Sequence, residues 1–379
     1  MSPRAFLVPA LHIAIILSAT ATLVAGAPSA PQSWMLAPFH RASNSPVISP
    51  KPGATFRDPV SGHLTHWEAL HTFNPAAIVR NGKIDVLYRA EDNTGSMEIG
   101  MHTSRLGLAE SEDGIHFTRL ATPIFYPAQD AQQSREWPGG VEDPRIVESE
   151  GGAYVLTYTQ WNRETYTVGV ATSKDLLHWI KYGPAFASAD GGKYRHLEYK
   201  SAGIVTKLVG GRLLAVKIHG KYWMYWGEIK IRLATSPDLI HWTPVEDSQG
   251  KPRVLLARRP GLFDSAFPEV GPPPVLTSNG ILLLYNGKNA EHGGAPGIGP
   301  GAYSGGQALF SADDPTKLLM RTRQPYFQPK LSFEKSGQYA AGTTFTEGLA
   351  FFHGKWFLYY GAADSYVGVA VCDPPHGSL

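Results

Sequence analysis

The chain has 379 residues, of which 43% are hydrophobic and 17% charged, and its formal net charge is +2. A chain of this length and apolar content can bury a large core. Its nearly balanced charge gives no sign of a nucleic-acid partner or of an anionic membrane surface as partner. The 40 glycines and 30 prolines indicate many turns between short strands rather than long helices.

The first 26 residues have the pattern of a secretory signal peptide. Arg4 supplies the positive start, an apolar stretch runs from Ala10 to Val24, and small residues follow it. A membrane anchor is the alternative, but His12 and several Ser and Thr residues interrupt a stretch that is already short for one. We therefore expect a secreted or periplasmic protein with no membrane association after signal cleavage.

Residues 27–67 are rich in Pro, Ser and Gly and show no clean periodicity. They predict a leader that wraps or tethers the rest of the chain rather than a domain of its own. The single cysteine, Cys372, excludes a disulfide framework. Residues 68–379 are expected to form one catalytic domain.

Five apolar runs that contain tyrosine recur along this domain. Their tyrosines lie 60 to 74 residues apart, and each run follows a glycine-containing turn. The tyrosines are Tyr88, Tyr158, Tyr225, Tyr285 and Tyr359. Units of this length, each with a few strands and no convincing helix, predict an all-β fold, specifically a five-bladed β-propeller.

A second repeated element is a Ser-x-Asp turn that is closed by an aromatic residue. It occurs at residues 111–117, 173–179 and 236–242, each time with a His before the aromatic residue. Asp and Ser side chains commonly bond the backbone of such turns. We interpret these Asp and His residues as turn residues and not as ligands.

The inner strand of each predicted blade should precede its tyrosine run and line a central channel. All five of these segments carry polar, Gly or Pro residues where a purely structural strand would be apolar. They are residues 73–76, 142–145, 200–203, 271–274 and 346–348. This excess at one radial position predicts an active site in the channel.

The segment Glu142-Asp143-Pro144-Arg145 has more charged residues than any of the other four. Pro144 is expected to bias Asp143 towards an extended conformation. Side chains alternate in an extended strand, so Asp143 and Arg145 should share one face while Glu142 takes the other. A structural ion pair between Asp143 and Arg145 is the alternative interpretation.

The residues after the five tyrosines differ from blade to blade, which favours one asymmetric catalytic pocket. A non-catalytic carbohydrate-binding propeller, the alternative, would be expected to repeat one aromatic and polar set in every blade. Glycoside cleavage needs two carboxyl groups, one to protonate the leaving oxygen and one to activate the attacking group. The carboxylates that could converge on one sugar are Asp92, Asp143, Glu228, Glu347 and Asp364.

Several short motifs, in order along residues 72–373, resemble those of glycoside hydrolase family 130. They are Asn74-Pro75-Ala76, Tyr88-Arg89-Ala90, Glu142-Asp143-Pro144-Arg145, Gly271-Pro272-Pro273-Pro274 and Tyr360-Gly361-Ala362-Ala363-Asp364. The resemblance implies a five-bladed propeller that cleaves β-mannosides with inversion and has Asp143 as the proton donor. It also implies that Asn74, Arg89 and Asp364 hold the non-reducing mannose.

Most characterised members of that family are phosphorylases, and this chain departs from their pattern where phosphate would be held. Thr167 and Asn286 stand where we would align an Arg and a His, and Glu228 stands near a replaced His-Arg pair. Only Lys200 remains, and a phosphate dianion needs several cationic or N–H donors. We therefore predict a hydrolase of β-linked mannosides, with β-1,2 linkages as a candidate. A phosphorylase that releases mannose 1-phosphate is the alternative.

Glu228 is the candidate base that deprotonates the attacking water, with Glu347 and Glu198 in reserve. The alternative for Glu228 is an ion pair with Lys200 or Arg145. We expect no metal and no cofactor, with inorganic phosphate as co-substrate only in the phosphorylase case. The partner is then a β-mannoside oligosaccharide. The predicted substrate-binding residues are Asn74, Arg89, Asp92, Arg145, Lys200, Asn286, Glu347 and Asp364.

Overall fold

The computed structural model describes residues 32–374, and the predicted signal peptide at residues 1–26 lies outside this range. Within it, helix is limited to α1 (Gln133–Glu136) and two 3-10 turns, Ala189–Gly192 and Ser332–Glu334. The prediction of an all-β chain is confirmed. No helix in the described range is long and apolar enough to cross a membrane.

The described part of the predicted leader contains three two-residue strands: β1 (His40–Arg41), β2 (Phe56–Arg57) and β3 (Leu64–Thr65). β2 and β3 pair with each other, whereas β1 pairs with residues 370–371 near the other end of the chain. Trp67 is fully buried, and the backbone N–H of Leu36 donates to Gln307 Oε1 at 3.0 Å. This segment therefore packs against the strands that follow it in the chain.

The first group of antiparallel strands shows why the chain folds back locally. It contains β4 (His71–Arg80), β5 (Lys83–Glu91), β6 (Ser104–Ser111) and β7 (Thr118–Arg119). Asn81 and Gly82 connect β4 to β5 with φ angles of 51° and 74°. Two consecutive left-handed residues match the twist of the flanking strands, and Asn-Gly is the preferred pair for this turn. The predicted hairpin is confirmed.

The second and third groups follow the same antiparallel order. The second contains β8 (Gly140–Glu148), β9 (Tyr154–Trp161), β10 (Tyr166–Ser173) and β11 (Trp179–Pro184). The third segment contains β12 (Ala202–Ile204), β13 (Thr206–Val209), β14 (Arg212–Ala215), β15 (Lys217–Ile218), β16 (Lys221–Trp226), β17 (Ile231–Ser236), β18 (Thr243–Pro244) and β19 (Val254–Leu256). The hairpin of β13 and β14 leaves the third group and pairs in parallel with strands of its neighbours.

The fourth and fifth groups complete the chain. The fourth contains β20 (Phe267–Val270), β21 (Val275–Thr277), β22 (Gly280–Lys288), β23 (Tyr303–Phe310) and β24 (Leu318–Arg321). The fifth contains β25 (Thr344–Phe352), β26 (Lys355–Ala362) and β27 (Tyr366–Cys372), and β1 is its fourth strand. The strand pairing thus gives five antiparallel groups, and the five-bladed propeller stays a prediction.

Apolar clusters hold neighbouring groups together. The strands that carry the repeated tyrosines contribute to all five clusters, because their side chains are buried on both faces. Each cluster combines residues of two groups: Leu87 with Leu156, Val155 with Met224, Tyr225 with Leu283, Leu284 with Leu358, and Tyr359 with Tyr88. Fully burying side chains of this size contributes about 1.5–3 kcal/mol each.

The repeated Ser-x-Asp turns confirm the interpretation of their Asp and His residues. Asp175 accepts hydrogen bonds from the backbone N–H groups of Leu177 and His178 at 2.9 and 2.8 Å. Its other oxygen lies 2.7 Å from His178 Nδ1, and both side chains are exposed. The turns at Asp113 and Asp238 have the same bonds. These side chains close turns at the surface.

Candidate active site

The strands that open the first, second and fifth groups each carry a β-bulge. The register against the next strand shifts between Phe73 and Pro75 in β4 and between Glu142 and Arg145 in β8. A third shift, in β25, makes Glu347 an extra residue. A bulge adds an unpaired residue and redirects the side chains beside it. Polar side chains are thereby turned inward at one end of these strands.

The conformation of Asp143 differs from the prediction. Its φ angle is 48°, in the left-handed region, so the expected extended conformation was wrong. Asn74, which also precedes a proline, has a φ angle of 45°. The bulge also breaks the side-chain alternation, and Glu142 lines the same cavity as Asp143 rather than the opposite face. Such uncommon backbone conformations concentrate at functional sites.

A cavity of about 350 Å³ lies at these bulges. Six predicted residues line it: Asn74, Arg89, Asp143, Lys200, Glu228 and Asp364. Two acidic residues that the sequence reasoning did not name as site residues, Glu142 and Glu269, line it as well. The structure thus brings together carboxyl groups from four of the five strand groups or the segments beside them.

Arg89 organises one wall of the cavity. Its Nη2 lies 2.6 Å from Glu91 and 2.8 Å from Glu142, and its Nη1 lies 3.3 Å from Asp143. Its Nε donates to Ser104 Oγ at 3.0 Å. Burial disfavours the charge, but the surrounding carboxylates raise the pKa of Arg89 above its ordinary value. The guanidinium therefore stays charged and holds three acidic side chains, of which Glu142 and Asp143 line the cavity.

Glu142 and Asp143 share Arg89 yet differ in proton affinity. Burial raises the pKa of Glu142 to about 7, with Arg89 opposing and Asp143 reinforcing the shift. Burial also acts on Asp143, but Lys200, Arg89 and Arg145 together hold its pKa below the ordinary value. Thr159 Oγ1 lies 3.3 Å from Asp143 Oδ2. In the free protein at neutral pH, Asp143 is therefore ionised and Glu142 is about half-protonated.

Lys200 organises the other wall with two glutamates. Its Nζ lies 3.6 Å from Glu228 Oε2, so the ion pair that the sequence left as an alternative for Glu228 is present. Burial raises the pKa of Glu269 to about 7 although Lys200 opposes the shift. Ser201 Oγ donates to Glu269 at 2.5 Å. Two carboxyl groups thus lie beside one cation on this wall.

Asp364 forms the end of the cavity in the turn between β26 and β27. Its φ angle is 49°, and Ala363 before it is also left-handed at 47°. Burial raises the pKa of Asp364 to about 6, against the opposing charge of Arg89. Near pH 6, about half of the Asp364 carboxyl groups are therefore protonated. A protonated carboxyl group can donate a hydrogen bond to a sugar hydroxyl as well as accept one.

Aromatic side chains also line the cavity, and the sequence reasoning did not name them as site residues. They form two pairs: Trp161 with Tyr166, 6.4 Å between ring centroids, and Tyr303 with Tyr339, 5.5 Å. Aromatic faces are suitable surfaces for the apolar faces of sugar rings. Both aromatic pairs therefore offer contacts to a carbohydrate.

The other four predicted substrate-binding residues are not among those that line the cavity: Asp92, Arg145, Asn286 and Glu347. Asp92 bonds Arg105 at 2.6 Å, and Asn286 bonds the backbone of Thr346 at 2.8 and 3.0 Å. These contacts hold the strands behind the site. The structure does not bring these side chains to the cavity wall.

Arg145 and Glu347 are buried and bond residues that line the cavity. Arg145 Nη1 is 2.8 Å from Glu347 Oε1, but its N–H groups point to the backbone carbonyl oxygens of Asp143, Val270 and Gly271. Burial therefore outweighs the attraction of Arg145 and raises the pKa of Glu347 to about 8. The Asn74 amide donates to Glu347 Oε2 at 2.6 Å. The pair positions Asn74 and the β8 bulge.

Known proteins resemble this chain over most of its length. The model of family Glyco_hydro_130, described as β-1,4-mannooligosaccharide phosphorylase, matches residues 41–374. A curated relative, 1,2-β-oligomannan phosphorylase of Thermoanaerobacter sp. (strain X514), is 30% identical over 88% of this chain and 96% of its own.

Two solved structures are more similar in sequence. A glycosyl hydrolase from Bacteroides ovatus is 50% identical, with a TM-score of 0.89 over 91% of this chain and 96% of its own. A second structure has the same identity, TM-score and coverage. It comes from work stating that the GH130 family of mannoside phosphorylases contains glycoside hydrolases that target β-1,2 mannosidic linkages in Candida mannan. The resemblance seen in the motifs is thus confirmed, and the chain belongs to glycoside hydrolase family 130.

Proposed function

We propose that this protein hydrolyses β-mannosides, with β-1,2-linked mannosides as its substrates and inversion at the anomeric carbon. The observation that carries the proposal is the excess of acidic over basic side chains in the cavity wall. Five carboxyl-bearing residues line it, against only the two cations Arg89 and Lys200. The five are Glu142, Asp143, Glu228, Glu269 and Asp364.

This balance disfavours a phosphate dianion as the attacking group. Arg89 already contacts three carboxyl groups, and Lys200 lies beside Glu228. A like-charge pair 4 Å apart costs about 1 kcal/mol in water and about 4 kcal/mol near a protein surface. A neutral water molecule meets no such repulsion, and a neighbouring carboxylate can take its proton.

Asp143 is the proposed general acid, as the family motif implies. Because the pKa of Asp143 is held low in the free protein, its proton has to come with substrate binding. A glycosidic oxygen next to Asp143 stabilises the protonated form, which can donate a hydrogen bond to it. Glu142, with its pKa of about 7 and its shared contact with Arg89, is the adjacent proton store.

Glu228 and Glu269 together are the proposed base side. Both line the cavity wall around Lys200, whereas Glu142 and Asp143, which contact Arg89, form the proposed acid side. Glu228 remains our candidate for direct contact with the attacking water, and Glu269 extends that proposal. Inversion requires room for water, with the acid and base carboxyl groups roughly 6.5–9.5 Å apart. The first product followed by NMR should then be α-mannose, and a β-anomer would contradict inversion.

Phosphorolysis is the second candidate, and the names of relatives favour it over our main proposal. The matching family model and the 30% identical curated relative are both described as phosphorylases. In that case Lys200 would be the main cation available to the phosphate. The solved structure whose work describes hydrolases is more similar to this chain, at 50% identity.

One assay separates the two candidates. The protein is incubated with β-1,2-mannobiose with and without inorganic phosphate, and the products are resolved by anion-exchange chromatography. Hydrolysis gives free mannose at the same rate in both buffers. Mannose 1-phosphate that forms only with phosphate would overturn the hydrolase proposal. The absence of any product with several β-mannosides would instead favour a binding protein.

We also propose that the five strand groups are the blades of a propeller. The five apolar clusters support this, because each combines two consecutive groups and one combines the fifth with the first. Secretion or export to the periplasm is a further proposal that rests on the sequence of residues 1–26. Mass determination of the mature N-terminus would test it.

A further inference from the structure

Two histidines and a glutamate lie together behind the Arg89 wall and outside the cavity. His71 is the first residue of β4, Glu91 is the last residue of β5, and the two are direct partners in the strand register. His102 precedes β6 and is 2% exposed. One ligand atom from each side chain lies within 4.8 Å of the other two. The backbone thus fixes three metal-ligating residue types around one point.

The hydrogen bond of His102 determines which of its nitrogens is free. Its Nδ1 lies 2.8 Å from the backbone carbonyl oxygen of Thr94. A carbonyl oxygen only accepts, so Nδ1 of a neutral His102 carries the hydrogen and Nε2 keeps a lone pair. Metal-binding histidines in proteins almost always donate their other ring N–H to a carbonyl or carboxylate in this way.

His71 has a matching arrangement. Its Nδ1 lies 2.8 Å from Ser365 Oγ, which also accepts the backbone N–H of Gln338 at 3.0 Å. The rings of His71 and His102 are 6.1 Å apart between centroids. Each ring is held at Nδ1, and the Ser365 hydroxyl can accept the Nδ1 hydrogen of His71, the tautomer in which Nε2 keeps a lone pair for a metal.

Glu91 supplies the negative charge. Its Oε1 accepts from Arg89 at 2.6 Å, whereas its Oε2 accepts from Gln338 Nε2 at 3.1 Å and has a second lone pair. Arg89 is shared with Glu142 and Asp143, so its single charge does not neutralise Glu91 alone. No hydrogen bond joins Glu91 to either imidazole among the described contacts. A divalent cation would satisfy all three groups.

We propose that His71, Glu91 and His102 bind a zinc ion, which departs from the sequence-based expectation of no metal. Two imidazoles and a carboxylate suit a first-row transition metal such as Zn²⁺, whereas Ca²⁺ and Mg²⁺ prefer oxygen ligands alone. Ligand atoms around tetrahedral zinc lie about 3.3–3.5 Å apart, so binding would draw the three side chains together from a spacing that is within 4.8 Å. The ion would link β4, β5 and the segment before β6 directly behind Arg89.

The test is zinc stoichiometry of the untagged full-length chain. The protein is stripped with chelator, dialysed against micromolar Zn²⁺, and analysed by inductively coupled plasma mass spectrometry. We expect about one zinc per chain, lost in His102→Ala and in His71→Ala. His116→Ala is the matched control, because that exposed histidine belongs to a surface turn, and it should retain the zinc.

A graded variant covers the case in which a histidine variant does not fold. Ser365→Ala keeps all three ligands but removes the partner of His71 Nδ1, together with the acceptor of the Gln338 N–H, and should weaken zinc binding by about 10–100-fold, as is typical of such outer partners. Cobalt substitution adds a readout, since four-coordinate Co²⁺ has strong visible absorption. Wild-type protein without stoichiometric zinc, or folded His71→Ala protein that binds zinc as tightly as His116→Ala, would overturn the proposal.

Discussion

Asp143 is ionised at neutral pH while Glu142 beside it is about half-protonated, although both contact Arg89. The difference comes from position, since Lys200 and Arg145 add their charges at Asp143 but act less on Glu142. Two neighbouring carboxyl groups with different proton affinities are what acid–base chemistry at neutral pH requires.

The first prediction concerns the proton donor. Asp143→Asn should lower kcat by roughly 10²–10⁴-fold because general acid catalysis is lost, while a mannoside still binds. Turnover and calorimetric binding would be measured on the same preparation. Asp313→Asn, at an exposed surface position, is the control and should behave as wild type. An unchanged kcat in Asp143→Asn would remove this residue from the mechanism.

The second prediction separates the two candidate bases. Glu228→Gln and Glu269→Gln should each lower kcat, and the one that contacts the attacking water should lose roughly 10²–10⁴-fold. Glu198→Gln serves as the comparison, because Glu198 is exposed and not among the residues that line the cavity. A wild-type kcat in both Glu228→Gln and Glu269→Gln would exclude the Lys200 wall as the base side.

Some of the site residues could be predicted from the sequence, and others could not. Asp143 and Asp364 stand in short motifs at fixed places relative to the tyrosine runs, so their convergence could be inferred. Glu142 could not, because simple alternation placed it on the wrong face of β8. Glu269 precedes the predicted inner segment by two residues, and its acidic side chain in Phe267-Pro268-Glu269-Val270 was the available signal.

At the scale of the element, bulges decide where side chains point. The hairpin turn at Asn81-Gly82 was predictable because its residues are specific for left-handed backbone. The bulges in β4 and β8 were not, since Asn74-Pro75 and Asp143-Pro144 also fit an extended segment. Tertiary contacts select the alternative: the Asn74 amide bonds Glu347, and Arg145 bonds the Asp143 carbonyl.

The third prediction concerns the repeated turns. Asp175→Ala removes two backbone hydrogen bonds and should lower the free energy of unfolding by about 1–2 kcal/mol. Activity should not change, because the turn lies outside the cavity. Lys174→Ala in the same turn is the matched control for chemical denaturation. Loss of activity in folded Asp175→Ala protein would contradict the structural role of this turn.

At the scale of the molecule, buried acids make stability depend on pH. The pKa values of Glu142, Glu269 and Glu347 are raised to about 7, 7 and 8 by burial. Their unfolded values lie near 4.5, so the folded state binds more protons and stability falls as pH rises. Burial lowers the pKa of His71, so this residue makes stability rise with pH, but only at pH values below its ordinary pKa of 6.5.

The fourth prediction is therefore a fall in the free energy of unfolding between pH 6.5 and pH 8, measured by urea denaturation. Glu347→Gln removes one of the three protons and should make the slope shallower by at most about 1.4 kcal/mol per pH unit. Glu112→Gln, at an exposed position, should leave the slope unchanged. A wild-type stability that rises across this range would contradict the assignment of buried protonated acids.

The pairing of β1 with β27 has a consequence for the order of folding. His40 and Val371 are partners in the same sheet, so the first described strand has to wait for nearly the whole chain before it can pair. Such a distant contact carries a large loop-closure entropy and slows folding. Until it forms, β27 presents an unpaired strand edge, which is a template for association with other chains. Ala42, Val47 and Ile48 bond the same edge of β27, so proteolytic removal of residues up to Ile48 would make that transient exposure permanent.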